Sequence, residues 1–582
     1  MLRKIFVSVY FSLLFVAFIY NPWGGINTYE LPKQSWLFLV TGLLLGLAAI
    51  IVFEKNKYSL FINKYISIIF GLWCTSFIFS TLFSIAPIES FWGSYERLQG
   101  LITHAVYGIF FITSLQLLQN KNLQERFLLI TTVIGGIISI VAIVQWFFAQ
   151  PWSGIGTLFY GERSYAMVGS PNFLGQFLLF PIFSSLFFVQ KLWHKKNIYF
   201  ILAVANSLVT IFALVLTRNR ASLIALGIAG MFWTLYLLRK NWQRAVLIIG
   251  AILGAIIILL STQFDLRSVG TRQVLWESAL PLIADHPVLG SGPETYYQTA
   301  QKTLSADIYI YEPMSDIPDR THNALLDTLL TRGILGLALW VVVLIYLVFL
   351  YFTKRLSNPL SQSTFFGLVA YIISIQFGFS LATHIIFFLG FLSILLINTL
   401  TFSVMQYSFS RSTTVLLGIS FIVCAILAIT HSNRLIQTDR IFSNGIRDYI
   451  ENPTAALQTF NTSLTISPHY SYLYRSLAVL YEKTLPSDYV EELGKISNKS
   501  FQYYLARGEF DMAVEKAPNS AIVWSERGDA AFEKGNCGES IFAYEKLFSM
   551  APANWKSIKK NQGFFTALDN LNMCLARSDI NA

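Results

Sequence analysis

Four arginines stand out by where they fall. Arg97, Arg163, Arg218 and Arg220 lie in short segments between long apolar runs, where other charge is sparse. Arginine presents a planar fork of N–H donors that fits phosphate and carboxylate. The same placement also fits arginines that snorkel at helix ends. A fifth arginine, Arg272, lies in the only long polar stretch inside the apolar part, residues 261–332. That stretch holds nine Asp and Glu against five Lys and Arg, and it contains His322-Asn323. Histidine is the side chain whose unperturbed pKa, about 6.5, lies nearest neutrality. Metal and nucleotide signatures are missing: the sequence has no HExxH, no CxxC, no phosphate-binding loop and no dinucleotide fingerprint.

The elements that must position these residues follow from composition. Of 582 residues, 54% are hydrophobic and 13% are charged. Soluble domains carry about 25% charge, so a wholly soluble enzyme and a disordered chain are both excluded. The charge is also unevenly spread, with 33 of the 74 Lys, Arg, Asp and Glu in residues 431–582. That tail is nearly neutral, so the +10 net charge belongs to the apolar part and gives no case for nucleic-acid binding. Thirteen apolar runs are long enough to span a bilayer, near 5–20, 36–53, 65–85, 101–119, 127–149, 172–191, 198–217, 221–238, 244–260, 333–352, 363–381, 385–404 and 413–430. The first follows Arg3 and Lys4, lacks a small-residue cleavage site and reads as an uncleaved anchor.

Alternate connecting segments differ sharply in positive charge. With the N-terminus inside, 16 Lys and Arg fall on the inner side, and the short outer segments hold five: Lys33, Arg97, Arg163, Arg218 and Arg220. The positive-inside rule then puts the 261–332 loop and the tail outside. The expected fold is all-α: a polytopic bundle of about 13 spans, N-in and C-out. Its parts are spans 1–9 in residues 1–260, an outer loop over 261–332, spans 10–13 in 333–430, and a helical domain over 431–582. Within the loop, 272–280 reads as an amphipathic helix lying on the membrane surface, 287–293 as a tight turn, and 319–327 as the start of a helix.

In the tail, Pro518 and Pro552 are 34 residues apart, the tetratricopeptide period. Trp524, Gly528, Ala531, Ser540, Tyr544 and Leu547 take that pattern's positions between them. Ala456, Phe460, Pro468, Tyr474, Ala478 and Tyr481 suggest an earlier unit. Such hairpins bind partners or dock on their own membrane domain. Cys537 and Cys574 also lie here, and the sequence leaves open whether they pair.

The blocks together resemble the O-antigen ligase superfamily, whose members are O-antigen ligases, O-antigen polymerases and bacterial protein O-oligosaccharyltransferases. Residues 90–101, Ser-Phe-Trp-Gly-Ser-Tyr-Glu-Arg-Leu-Gln-Gly-Leu, match a family block in the second outer segment. Gly169-Ser170-Pro171-Asn172-Phe173-Leu174-Gly175 matches another, with Ser170 where Asn is usual. Leu216-Thr217-Arg218-Asn219-Arg220-Ala221-Ser222 matches a third, with Asn219 where Ser is common. The loop adds Arg272 with Trp276, then Gly290-Ser291-Gly292, then His322-Asn323 before Gly333-Ile334-Leu335-Gly336.

The resemblance implies a glycosyltransferase of the bacterial inner membrane that needs no cofactor. The donor would be a glycan on a polyprenyl diphosphate, and the acceptor a hydroxyl on a lipid, glycan or protein. By family position Arg220 and Arg272 would bind the diphosphate and His322 would be the base. Arg97, Arg163, Arg218, Asn172, Gly292 and Asn323 would be further substrate contacts. Metal-dependent transferases of other membrane families need an acidic pair near the first outer segment, where this chain has Glu30 alone. Metal-independent transfer is therefore expected, and the resemblance implies inversion at the anomeric carbon. The competing class is a polytopic transporter or lipid flippase with a docking domain, which would favour charges within the spans.

Overall fold

The structure, a computed structural model, describes residues 1–22, 25–54, 57–148, 163–238, 248, 267–313, 317–449, 452–474, 487–497, 499–551 and 562–581. It is built of helices, with one two-stranded ribbon among the described residues. Among the described residues, ten helices are long and apolar enough to cross a membrane. Two further expected spans are shorter: Leu101–Leu117 has 17 residues, and the first is an α-helix, Leu2–Ser12, tightening into a 3-10 helix, Leu13–Phe18. Apart from residue 248, the run 244–260 lies outside the described residues, as do Pro552, Ala478 and Tyr481 of the repeat pattern. The last span does not stop near 430: its helix runs unbroken from Arg411 to Asp448. The chain is a polytopic all-α membrane protein that divides into two compact units.

The first unit comprises residues 1–75, 95–264 and 339–468. Its helices begin where local chemistry tells them to. Asn197 accepts from the Phe200 amide, and Asn358 with Ser361 forms a reciprocal cap ahead of Pro359. These side chains satisfy amide groups that have no partner within the helix. The centre is aromatic: Phe127, Phe177, Phe180, Phe387 and Phe391 pack edge-on or stacked with centroids 5.1–6.5 Å apart. Small residues let the helices approach. A Cβ on Gly390 would enter the Phe127 ring, and one on Gly135 would enter Pro181. The ribbon pairs Lys57–Ile62 antiparallel with Ser403–Ser408, and Gln116 clamps its edge by bonding both backbone groups of Phe61 at 2.9 Å.

The second unit comprises residues 76–94, 265–338 and 469–582. Its organising feature is a break in the helix Ala324–Phe352 at Gly333, whose φ is +63°. The break leaves two carbonyls free to accept from the 287–292 turn. Ser291 donates to Leu330 at 2.9 Å and Gly292 to Thr331 at 3.0 Å, while Ile334 donates back to Pro287 at 2.9 Å. Only glycine serves at 333, because the backbone is left-handed there and a Cβ would strike Val288.

The apolar face of the helix Arg267–Asp285 is covered by protein. Val274 and Leu275 share a core with Leu304, Ile308 and Tyr309 of the loop and with Ala521, Trp524, Tyr544 and Leu547 of the tail. That corrects the expectation of a helix lying on lipid: tail side chains satisfy the same apolar stripe. In the tail, helices Ala521–Glu533 and Cys537–Ser549 form a hairpin in which Gly528 lies against Tyr544, and Cys537 is disulfide-bonded to Cys574.

Candidate functional site

In the first unit, two helix starts are held side by side. One begins at Pro171 and the other at Arg220. The first start is written in the block Gly169-Ser170-Pro171-Asn172. Gly169 turns the chain at φ +98°, the Ser170 hydroxyl accepts from the Asn172 amide, and proline takes a first-turn position that needs no N–H. The second start has the same logic. Arg218 takes a left-handed φ of +49°, and the Asn219 side chain accepts from the Ser222 amide at 3.3 Å. Asn219 Nδ2 donates to the Asn172 carbonyl at 2.8 Å. Arg163 completes the join through Nη2 to Asn172 Oδ1 at 2.8 Å and Nε to the Thr217 carbonyl at 2.9 Å.

The electrostatics there favour an anion. A helix N-terminus carries partial positive charge and unpaired amides. Two lie together here, and arginine occupies the first position of one of them. Arg218 is set over the Trp146 ring at 5.0 Å, and Arg97 over Phe379 at 5.2 Å. Lys33 is fully buried, bonded to Glu30 at 3.2 Å and to the Val168 carbonyl at 2.9 Å. It anchors the residue just before Gly169. The sequence placed Lys33 among the outer cations and Glu30 as a lone carboxylate. Their pairing at i and i+3 is the signal that was there to be read.

In the second unit, Arg272 and His322 flank one hydrogen bond. Trp276 Nε1 donates to the Thr321 carbonyl at 3.0 Å. Arg272 is one turn before Trp276 on the same helix, with Nη1 on the Ser268 carbonyl at 2.9 Å. His322 follows Thr321 directly and takes a left-handed φ of +55°. Asn323 Oδ1 accepts from the Leu326 amide at 2.9 Å, which starts the next helix. Gly292 has φ +107°, and a Cβ there would meet Ser84 and Ser90.

Beside this turn lies a buried charge cluster that the sequence reading passed over. Arg320 pairs with Glu294 through Nη2 and with Asp327 through Nη1, the latter at 3.1 Å. Glu294 also accepts from the Ser94 hydroxyl at 2.5 Å and the Ser94 amide at 3.3 Å. Burial, reinforced by the negative charges of Asp327 and Asp319, pushes the Tyr296 phenol well above its ordinary pKa, so it stays protonated. Arg332 lies over Phe77 at 4.3 Å. Among the described residues, no three His, Cys, Asp or Glu side chains gather as metal ligands would.

Residues 205–341 match the family model described as O-antigen ligase. The match runs from before Arg220 through Arg272 and His322 to beyond Gly333. That segment is similar to the O-antigen ligase domain, within a chain that is a multi-pass helical membrane protein. No curated protein and no solved structure matches the chain.

Proposed function

We propose that this protein transfers a glycan from a polyprenyl diphosphate to an acceptor hydroxyl on the outer side of the bacterial inner membrane. The observation that carries the reading is the pair of joined helix N-termini with Arg220 at the head of one. That arrangement suits a diphosphate, and the family match covers the start at Arg220. Arg220 and Arg272 bind the diphosphate of the donor, and His322 takes the proton of the acceptor hydroxyl. The acceptor oxygen attacks the anomeric carbon as the bond to the lipid diphosphate breaks. The proton goes to His322 and the electron pair leaves on the diphosphate, whose charge the arginines stabilise. One displacement inverts the anomeric carbon. Arg163 and Asn172 hold each other and the two helix starts, and they contact the glycan from there.

The outer location rests on two independent supports. One is the excess of positive charge on alternate segments, 16 against five. The other is the Cys537–Cys574 disulfide, a bond that persists in oxidising compartments. The tail hairpins are the place for acceptor contacts. The reaction runs without a divalent cation, since arginine supplies the positive charge a metal would bring. The test is transfer by the purified full chain in nanodiscs, using a lipid-linked glycan extracted from bacterial membranes and offering lipid-core, glycan and protein acceptors in parallel. Transfer that persists in excess chelator supports the reading. Transfer lost with chelator and restored by magnesium would contradict it.

A further inference from the structure

We infer that Glu294 and Arg320 are positioning residues that hold His322 in its left-handed turn and in register with the Arg272 helix. The inference deepens the proposed function and rests on His322 being the base. Three stretches distant in sequence meet at the Arg320 guanidinium. Glu294 brings the glycine turn, Asp327 brings the first turn of the following helix, and Ser94 joins through its two bonds to Glu294. Both Arg320 and Glu294 are buried, at 8% and 5% exposure. A guanidinium with carboxylates on two of its nitrogens cannot swivel without leaving a charge unpaired in a buried place.

His322 is two residues from that fixed point. Its turn is tied on both sides. Arg320 anchors the chain before it, and the Asn323 cap anchors the chain after it. Between them, Trp276 holds the Thr321 carbonyl. Glu294 and His322 both have positive φ, +64° and +55°, which residues bearing a Cβ avoid. Two such residues near one arginine show a conformation imposed by the contacts around it. Glu294 has left-handed backbone because Gly292 and Ser291 before it are fixed to Thr331 and Leu330. The second outer block thus serves the site by its serines: Ser90 donates to the Pro293 carbonyl at 2.7 Å, and Ser94 holds Glu294.

The test reads His322 directly and does not depend on transfer. Full-length protein in nanodiscs is treated with diethyl pyrocarbonate, and carbethoxylation of His322 and of the exposed His286 is followed by mass spectrometry. Glu294→Gln and Arg320→Lys should each raise the His322 rate roughly threefold or more, because the turn opens locally. The His286 rate should stay as in the wild type. Glu294→Asp, which keeps the carboxylate, should return the His322 rate at least part of the way. An unchanged His322 rate in both variants would overturn the inference. So would equal acceleration at His286, because the cluster would then be a general folding element, and so would failure of Glu294→Asp to do better than Glu294→Gln. The base assignment is tested apart from this by His322→Ala, whose normal transfer would overturn that assignment and leave the carbethoxylation result standing.

Discussion

The indole nitrogen of Trp276 donates to the backbone carbonyl of Thr321 at 3.0 Å, which fixes the helix bearing Arg272 against the turn bearing His322. Trp276→Phe keeps most of the ring and removes the donor. The carbonyl left behind should cost about 1–2 kcal/mol of stability. Turnover should fall roughly ten- to a hundredfold, since ångström-scale misplacement costs that much. Thermal unfolding and single-turnover transfer measure the two losses, and an unchanged turnover would separate this bond from the chemistry.

Gly292 and Gly508 both have positive φ, +107° and +70°, but only Gly292 is hemmed in, by Ser84 and Ser90. Gly508→Ala should cost about 1 kcal/mol from backbone conformation alone. Gly292→Ala should cost more, about 2–4 kcal/mol, because strain and overpacking add. Melting of the two variants side by side gives the comparison, and equal losses would mean the serines yield freely.

Lys33→Met leaves Glu30 buried without its cation. Loss of about 3–5 kcal/mol is expected. Adding Glu30→Gln should return most of it, because no buried charge then lacks a partner. Unfolding midpoints of the single and double variants decide this, and a double variant as unstable as the single would disprove it.

Much of the first unit was legible because its signals are local. Apolar runs of spanning length announce themselves, and Gly169-Ser170-Pro171-Asn172 is a helix start in four consecutive residues. Arg220 was singled out by its place in the block 216–222, and the cap that starts its helix, Asn219, is its neighbour in the same block. The second unit was harder to read. Glu294 and Arg320 are 26 residues apart, and nothing in either segment names the other. Trp276 was noticed, but its partner is a backbone carbonyl 45 residues on. The apolar stripe of residues 274–282 could face lipid or protein, and only Trp524 and Tyr544 of the tail decide which. The Arg411–Asp448 helix outran its apolar run because helical propensity continues after hydrophobicity ends.

The disulfide gives a prediction about compartment. Without reduction, maleimide should label Cys74 and Cys424 in denatured protein from cells quenched in acid, and should miss Cys537 and Cys574. Reduction should expose the latter pair and lower stability by about 2–4 kcal/mol. Labelling of Cys537 and Cys574 without reductant would contradict an outward-facing tail.

The central claim is that Arg220 acts on the donor and His322 on the reaction. The most direct measurement is donor binding and single-turnover transfer, side by side, for Arg220→Ala and His322→Ala in nanodiscs with one lipid-linked glycan. His322→Ala should bind donor as the wild type does and lose roughly a hundredfold or more in transfer, because a base acts in the transition state. Arg220→Ala should weaken binding roughly tenfold or more as well as slowing transfer, because it removes a cation from the diphosphate. Normal transfer by His322→Ala, or unweakened donor binding by Arg220→Ala, would contradict the assignment.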